Sequence, residues 1–496
     1  MNRLNHATAL ASLALPLVLL SASAQAEEWN QWRGPHRNGL DTTSPKLIDA
    51  LPEQGLKPLW ISEQIPAGNV GGWGSPVVSQ GRVYVFAHLK NKQGDPPPKK
   101  FPWLPPDKRG GMSDAEYQEY EAKRRDEDEQ LSRFFDFRER VYCLDGQTGQ
   151  TLWVNERPSV YCRFMQSGSP AVIEGKLYIL GAGRVARCID AANGKDFWET
   201  RLPGEFRDEY MMSSFAVADG VAVVLCGHLF GLDAQTGNIL WEGDRSATAG
   251  THSSPAVWKH QDHEYVIVHV GNEETICIVP RTGKELWRVH SQARLSTPVI
   301  TGDLMITLGD SRKKGLRCFE LSPQGAKQRW VYQGLADKGA SPVVVGDFVY
   351  AQGEKRLACV NLKTGKAAWS TTLDLATPQY TSLVAGDNKV FYACDGVLMF
   401  AASDDGFNPL FQAKMNREAL LAPEALHRQL LKLDEVEKGE GGLEKAQQIY
   451  NAQVEKAGPL ACATPALNGG RLYVRTPQGI VCYDLRANGS KQGEAQ

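Results

Sequence analysis

Eight residues stand just ahead of a recurring Ser/Thr-led strand start: Trp73, Gln166, Met211, His252, Arg294, Lys338, Gln379 and Cys462. A tryptophan offers a stacking face, a histidine a donor or acceptor, and two cations suit carboxylates. Trp73, Gln166, His252, Arg294, Lys338 and Gln379 are therefore the ligand-binding candidates, a mixed polar collar for a peptide, a glycan or a small anion. Arg163 and Arg207 add basic charge to the same neighbourhood. Asp337, Glu205, Asp208 and Glu209 supply acids, yet no Glu, Asn and Asp set of the kind a hard cation requires occupies the collar positions. His260 and His263 lack the H-E-x-x-H arrangement and fall in an expected strand–strand turn. No P-loop, dinucleotide fingerprint or G-x-S-x-G is present, so neither a catalytic residue nor a metal ligand is assigned.

The elements that must hold such a collar are written in the tryptophans. LDGQTGQTLW ends at Trp153, IDAANGKDFW at Trp198 and LDAQTGNILW at Trp241, with shorter copies ending at Trp287 and Trp369 and weaker ones at Trp330 and Phe411. Successive aromatic ends lie 39 to 46 residues apart. That period, with short β-like runs such as RVYVF at 82–86 and RLYVR at 471–475, indicates four-stranded propeller blades rather than helical repeats. Thr-Gly or Asn-Gly marks the hairpin between third and fourth strands, with Asp145, Asp190 and Asp233 capping the turn. The repeated tryptophans are expected to pack between neighbouring blades.

Counting strand starts gives an all-β, eight-bladed β-propeller over 27–496. The last copy, 464–485, lacks a fourth strand, and an orphan strand at 56–61 is available to complete it and close the ring. Two stretches break the period. Residues 88–140 form an insertion in the first blade, with a capping box at Ser113 and Glu116. Residues 416–459 read as a helical hairpin before the last blade, with Leu426, Leu430 and Leu433 on one apolar stripe and Leu443, Ala446, Tyr450 and Val454 on the other.

Fifty-five basic residues against fifty-seven acidic ones leave no excess for phosphate neutralisation, so no nucleic-acid partner is expected. Residues 1–26 have the form of an export signal: Arg3, an apolar run over 7–20, and Ala24-Gln25-Ala26 before Glu27. The expected location is periplasmic or secreted, with no lipid-bearing cysteine at the cut and no transmembrane span in the mature chain. Ten cysteines in an exported protein would suggest disulfides. Six of them, Cys143, Cys188, Cys277, Cys318, Cys359 and Cys482, instead occupy one repeated place on the third strand, where Gly231 stands in blade three. A small buried side chain is expected there, reduced and unpaired.

The repeated phrase ending in tryptophan resembles the docking motif of pyrroloquinoline-quinone-like (PQQ-like) propellers, and WNQWRGPHRNG at 29–39 is similar to a W-x-x-W-R-G-P signature found in secreted bacterial members. The class includes quinoprotein alcohol dehydrogenases and the propeller lipoprotein of the outer-membrane assembly machinery. The resemblance implies the fold and leaves two activities open. One is a binding or protein-assembly scaffold with a periplasmic or outer-membrane partner and no cofactor. The alternative is a quinoprotein oxidoreductase using PQQ with calcium. This chain has no adjacent cysteine pair to stack a quinone and no C-x-x-C-H haem attachment, which weighs toward the scaffold.

Overall fold

The computed structural model describes residues 28–374 and 380–487. The expected export signal and Gln379 lie outside these residues. Eight sheets follow one another along the chain and close as an eight-bladed propeller. Blade one shows the plan: Val77–Ser79 inside, then Arg82–Lys92, Phe135–Asp145 and Thr151–Pro158 outward, each antiparallel to the last.

Local chemistry fixes each outer hairpin. Asp145 Oδ1 accepts the backbone N–H groups of Gln147 and Thr148 at 2.9 and 2.8 Å. Gly149 follows at φ 73°, a left-handed conformation that a side chain resists. A Cβ at that glycine would also overlap the ring of Trp60 from the preceding blade. The same seat recurs: Trp153 lies on Gly194, Trp198 on Gly237, Trp241 on Gly283 and Trp330 on Gly365. Most of the indoles also reach across with their N–H, as Trp198 to Ala234 O (3.3 Å), Trp241 to Pro280 O (2.7 Å) and Trp369 to Ser403 O (2.8 Å); that of Trp153 is buried without a partner among the described residues. The tryptophans are inter-blade latches.

The repeated cysteines sit directly across the ladder from these rings. Cys143 pairs with Trp153, Cys188 with Trp198, Cys277 with Trp287, Cys318 with Trp330, Cys359 with Trp369 and Cys482 with Trp60. In blade three Gly231 faces Trp241. A large side chain would displace the indole, so the column stays small. All ten cysteines are free. Burial pushes the Cys143, Cys188, Cys277, Cys318 and Cys482 thiols up to about 12 and that of Cys359 to about 11, leaving them protonated and unreactive. Native protein should therefore resist thiol alkylation at these six sites until denaturant is added, and Cys318→Ala should cost only about 1 kcal/mol. Disulfides among the six in a mass-spectrometric map would overturn this.

Trp60–Ile61 pairs with Ile480–Asp484 and supplies the missing fourth strand of blade eight. The start of the expected strand departs from it: Leu56 exchanges both backbone hydrogen bonds with Leu421, in the outermost strand of the blade-seven sheet.

The insertions are reshaped relative to expectation. In blade one the middle strands run on as a ribbon to Lys92 and resume at Phe135, so residues 88–92 and 135–140 are ladder rather than insert. Between them the helix Asp114–Leu131 starts with the Ser113–Glu116 capping box. The second insertion is three short helices, Glu424–Leu430, Leu433–Val436 and Gly442–Tyr450, with a further turn to Glu455. Leu433, Ala446, Tyr450 and Val454 form its core, whereas Leu430 and Leu443 are 57% and 74% exposed. The break at Lys432, whose φ is 52°, turns the first stripe and puts His427 inside in place of Leu430. Among the described residues no helix is long and apolar enough to cross a membrane.

Candidate functional site

Residues 29–41 lie across the axial channel and close it on one side. Trp29 O and Asn30 O accept the N–H groups of Val78 and Val172 on the inner strands of blades one and two. Leu40–Asp41 then runs parallel to Val384–Gly386, the inner strand of blade seven. Between these anchors the W-x-x-W-R-G-P turn bends sharply: Gly34 is at φ 81° and a Cβ there would press on the Trp29 ring at 3.2 Å.

Two arginines of this segment are wholly buried. Arg33 donates to the carbonyls of Arg37, Asn38 and Pro342, and Arg37 to those of Ser214 and Phe215. Arg37 Nε is also held by Gln31 Oε1 at 2.9 Å. Burial pulls both guanidinium groups down to about 9, still cationic at neutral pH. Arg33 reaches a carbonyl of blade six and Arg37 two of blade three, which joins those blades through the plug.

Above the plug a ring of hydroxyls joins the inner strands. The N–H of Ser75 donates to Ser169 Oγ (2.9 Å), that of Ser169 to Ser214 (2.9 Å), and that of Ser214 to Ser254 (3.0 Å). The chain continues through Thr297, Ser341 and Ser382, and Thr464 N–H donates to Ser75 Oγ at 2.9 Å. This column was present in the sequence as the Ser or Thr of every strand start. The repeat marks where the hydroxyls stand, and only the closed ring shows that they bond to one another.

Plug and ring form the floor of a funnel-shaped pocket of about 350 Å³. Trp32 contributes to the floor, its indole N–H on Thr464 Oγ1 at 3.3 Å. Trp73, Phe164, Tyr210 and Tyr380 give aromatic walls, with Met212, Leu295, His252 and Cys462 between them. Phe164 meets Tyr210 edge-on at 5.0 Å, and Tyr210 meets His252 at 5.5 Å. Burial, reinforced by Arg294, holds the His252 ring down to about 4, so it is neutral at physiological pH.

Of the six sequence candidates, Trp73 and His252 line this pocket. Gln166 is buried and structural: it donates to Leu180 O and accepts from the N–H of Met211. Arg294 and Lys338 are exposed and stand one residue outside the lining. Arg163 and Arg207 are already engaged. Arg163 pairs with the fully buried Asp208, and Arg207 reaches Asp126 and Glu129 on the helix of the first insertion. Arg125 of that helix grips Asp208 as well. The insertion thus pins the loop that carries Tyr210 and Met212. Phe164, Tyr210, Met212 and Tyr380 were not singled out because they sit in irregular loops with no repeat to flag them.

This lining does not fit a calcium-bound quinone. Calcium takes six to eight oxygen ligands, usually including carboxylates, and among the described residues no carboxylate lines the pocket. Asp337, the acid expected nearest the funnel, turns Oδ1 onto the N–H groups of Gly339 (2.9 Å), Ala340 (2.7 Å) and Tyr380 (3.1 Å). Among the described residues no group of three His, Cys, Asp or Glu converges elsewhere.

A family model described as outer membrane protein assembly factor BamB matches residues 138–261 and 257–406. The curated BamB of Shewanella oneidensis is 23% identical over 257 residues, 46% of this chain and 63% of that protein; the match therefore spans less than two thirds of the relative's length. Among solved structures, the quinohemoprotein alcohol dehydrogenase of Comamonas testosteroni superposes with a TM-score of 0.52 at 12% identity, over 92% of this chain and 80% of that one. The quinohemoprotein alcohol dehydrogenase ADHIIG of Pseudomonas putida HK5 gives 0.53 at 13% identity with the same coverage. At such identities these two likenesses speak for the fold alone.

Proposed function

The chain belongs to the family described as outer membrane protein assembly factor BamB, and from that premise we propose that it is an exported scaffold on which other proteins assemble, working between the membranes or at the outer one. The family match, running from blade one through blade seven, carries this reading. The geometry is consistent with it: latched blades and a plugged axis make a rigid body, and its loops and insertions present surface beyond what the ring requires. Leu430, Leu443 and Trp103 are large apolar side chains exposed on the two insertions, the kind of anchor that dominates a protein interface. The oxidoreductase alternative has no such support in the lining of the funnel.

Photo-crosslinkers placed at Trp103 and Leu443 in the host cell test the reading. Adducts with outer-membrane assembly proteins are the expected result. An absence of adducts, together with calcium-dependent oxidation of alcohols by the purified protein supplied with quinone and an electron-accepting dye, would replace the scaffold with the enzyme.

A further inference from the structure

The floor of the funnel carries hydrogen-bonding capacity that the fold does not use. In the ring, the oxygens of Ser75, Ser169, Ser214, Ser254 and Thr297 each accept a backbone N–H from a neighbouring blade. Their hydroxyl hydrogens find no acceptor among the described residues, and all five residues line the pocket. A hydroxyl already accepting one bond is a good donor to a second partner, and five donors around one axis ask for an acceptor-rich group.

Charge points the same way. Directly beneath the ring lie the two plug arginines, bonded to carbonyls and to Gln31 and making no ion pair among the described residues. Arg37 Nη1 is 3.1 Å from the carbonyl of Ser214, a ring member, and Arg33 stands 5.8 Å from the Trp32 ring that lines the pocket. Two buried cations without counter-ions leave the floor positive in a setting of low dielectric, where the field reaches further than in water. Above the floor the chemistry changes to apolar: Trp73 on one part of the wall, Phe164, Tyr210 and Tyr380 on the rest.

We propose that the funnel binds a carboxylate borne on an aromatic or bulky apolar body, with the carboxylate seated on the hydroxyl ring and the body held among Trp73, Phe164, Tyr210 and Tyr380. No metal takes part. A free aromatic acid has this chemistry, and so does the C-terminus of a polypeptide ending in an aromatic residue. In the second case the proposal rests on the scaffold reading and names what the funnel recognises in its client.

Calorimetric titration of the full mature chain separates the possibilities. The probes are 3-phenylpropionate, 3-phenylpropionamide, and N-acetylated tetrapeptides ending in phenylalanine with a free or an amidated C-terminus. Each acid should bind at least about tenfold more tightly than its amide, because the amide loses the charge that the floor favours. Phe164→Ala and Tyr210→Ala, both on loops, should each weaken acid binding about tenfold while leaving the circular dichroism melt in place. A peptide acid that outbinds 3-phenylpropionate supports a polypeptide terminus; equal affinities support a free acid. Equal affinity for acid and amide, or no heat from any probe, overturns the proposal. Crosslinks from the insertions would survive that failure, so the scaffold reading and the pocket proposal can be lost separately.

Discussion

Trp198→Ala should lower the unfolding free energy by about 3–5 kcal/mol, the usual cost of emptying a large aromatic site in a packed interior. The ring is 8% exposed, lies on Gly237 of the next blade and donates to Ala234 O. Its loss opens a cavity between blades two and three and leaves that carbonyl without its indole donor. Neither side can collapse into the space, since the flanking sheets are held by the hydroxyl ring at one edge and by the other latches around the circle. Urea unfolding followed by circular dichroism measures the change. A loss below about 1 kcal/mol would mean that the tryptophan covers the surface without locking the blades.

The second large effect follows from the N-terminal segment. Deleting residues 28–62 removes the plug and the closing strand together. Trp29, Leu47 and Trp60 are all buried, and side chains of this size contribute roughly 1.5–3 kcal/mol each. Their combined loss is comparable with the whole stability margin of a typical domain. Blade eight would also expose the outer edge of Ile480–Asp484. The truncated protein is expected to show no cooperative melt and to be cut rapidly by protease. A circular permutant carrying 28–62 after residue 487 should restore the transition, since the strand reaches the same partner from the other end. A truncated chain melting within a few degrees of the full one would show that the ring closes without its latch.

The fold was legible because each blade repeats its instructions. Turn aspartate, left-handed glycine, docking tryptophan and small residue recur, and each copy corroborates the others. The cysteine column was legible for the same reason, and the facing indole supplies its physical cause. What occurs once was harder to read. The plug is a single segment whose partners lie hundreds of residues away, as with Arg37 and Ser214 or Trp32 and Thr464, and no periodicity announces such contacts. Arg163 and Arg207 looked free for a ligand because their acids come from other segments, Asp208 from the next loop and Asp126 and Glu129 from the insertion helix. In the second insertion, heptad-like spacing put Leu430 and Leu443 on buried stripes. The helices are too short to sustain a stripe, and a left-handed residue between them resets the phase.

The plug also dictates an order of events. Its residues precede every blade in the chain, yet their partners belong to blades three, six, seven and eight. Until about residue 485 has emerged, the buried arginines have no complete set of carbonyls and blade eight cannot meet Trp60. Blades can form hairpins as they appear, but the circle cannot be completed until the whole chain is out. Such a chain cannot reach its native topology until its last blade is available to the first residues. It also makes the last step of folding the joining of its two ends.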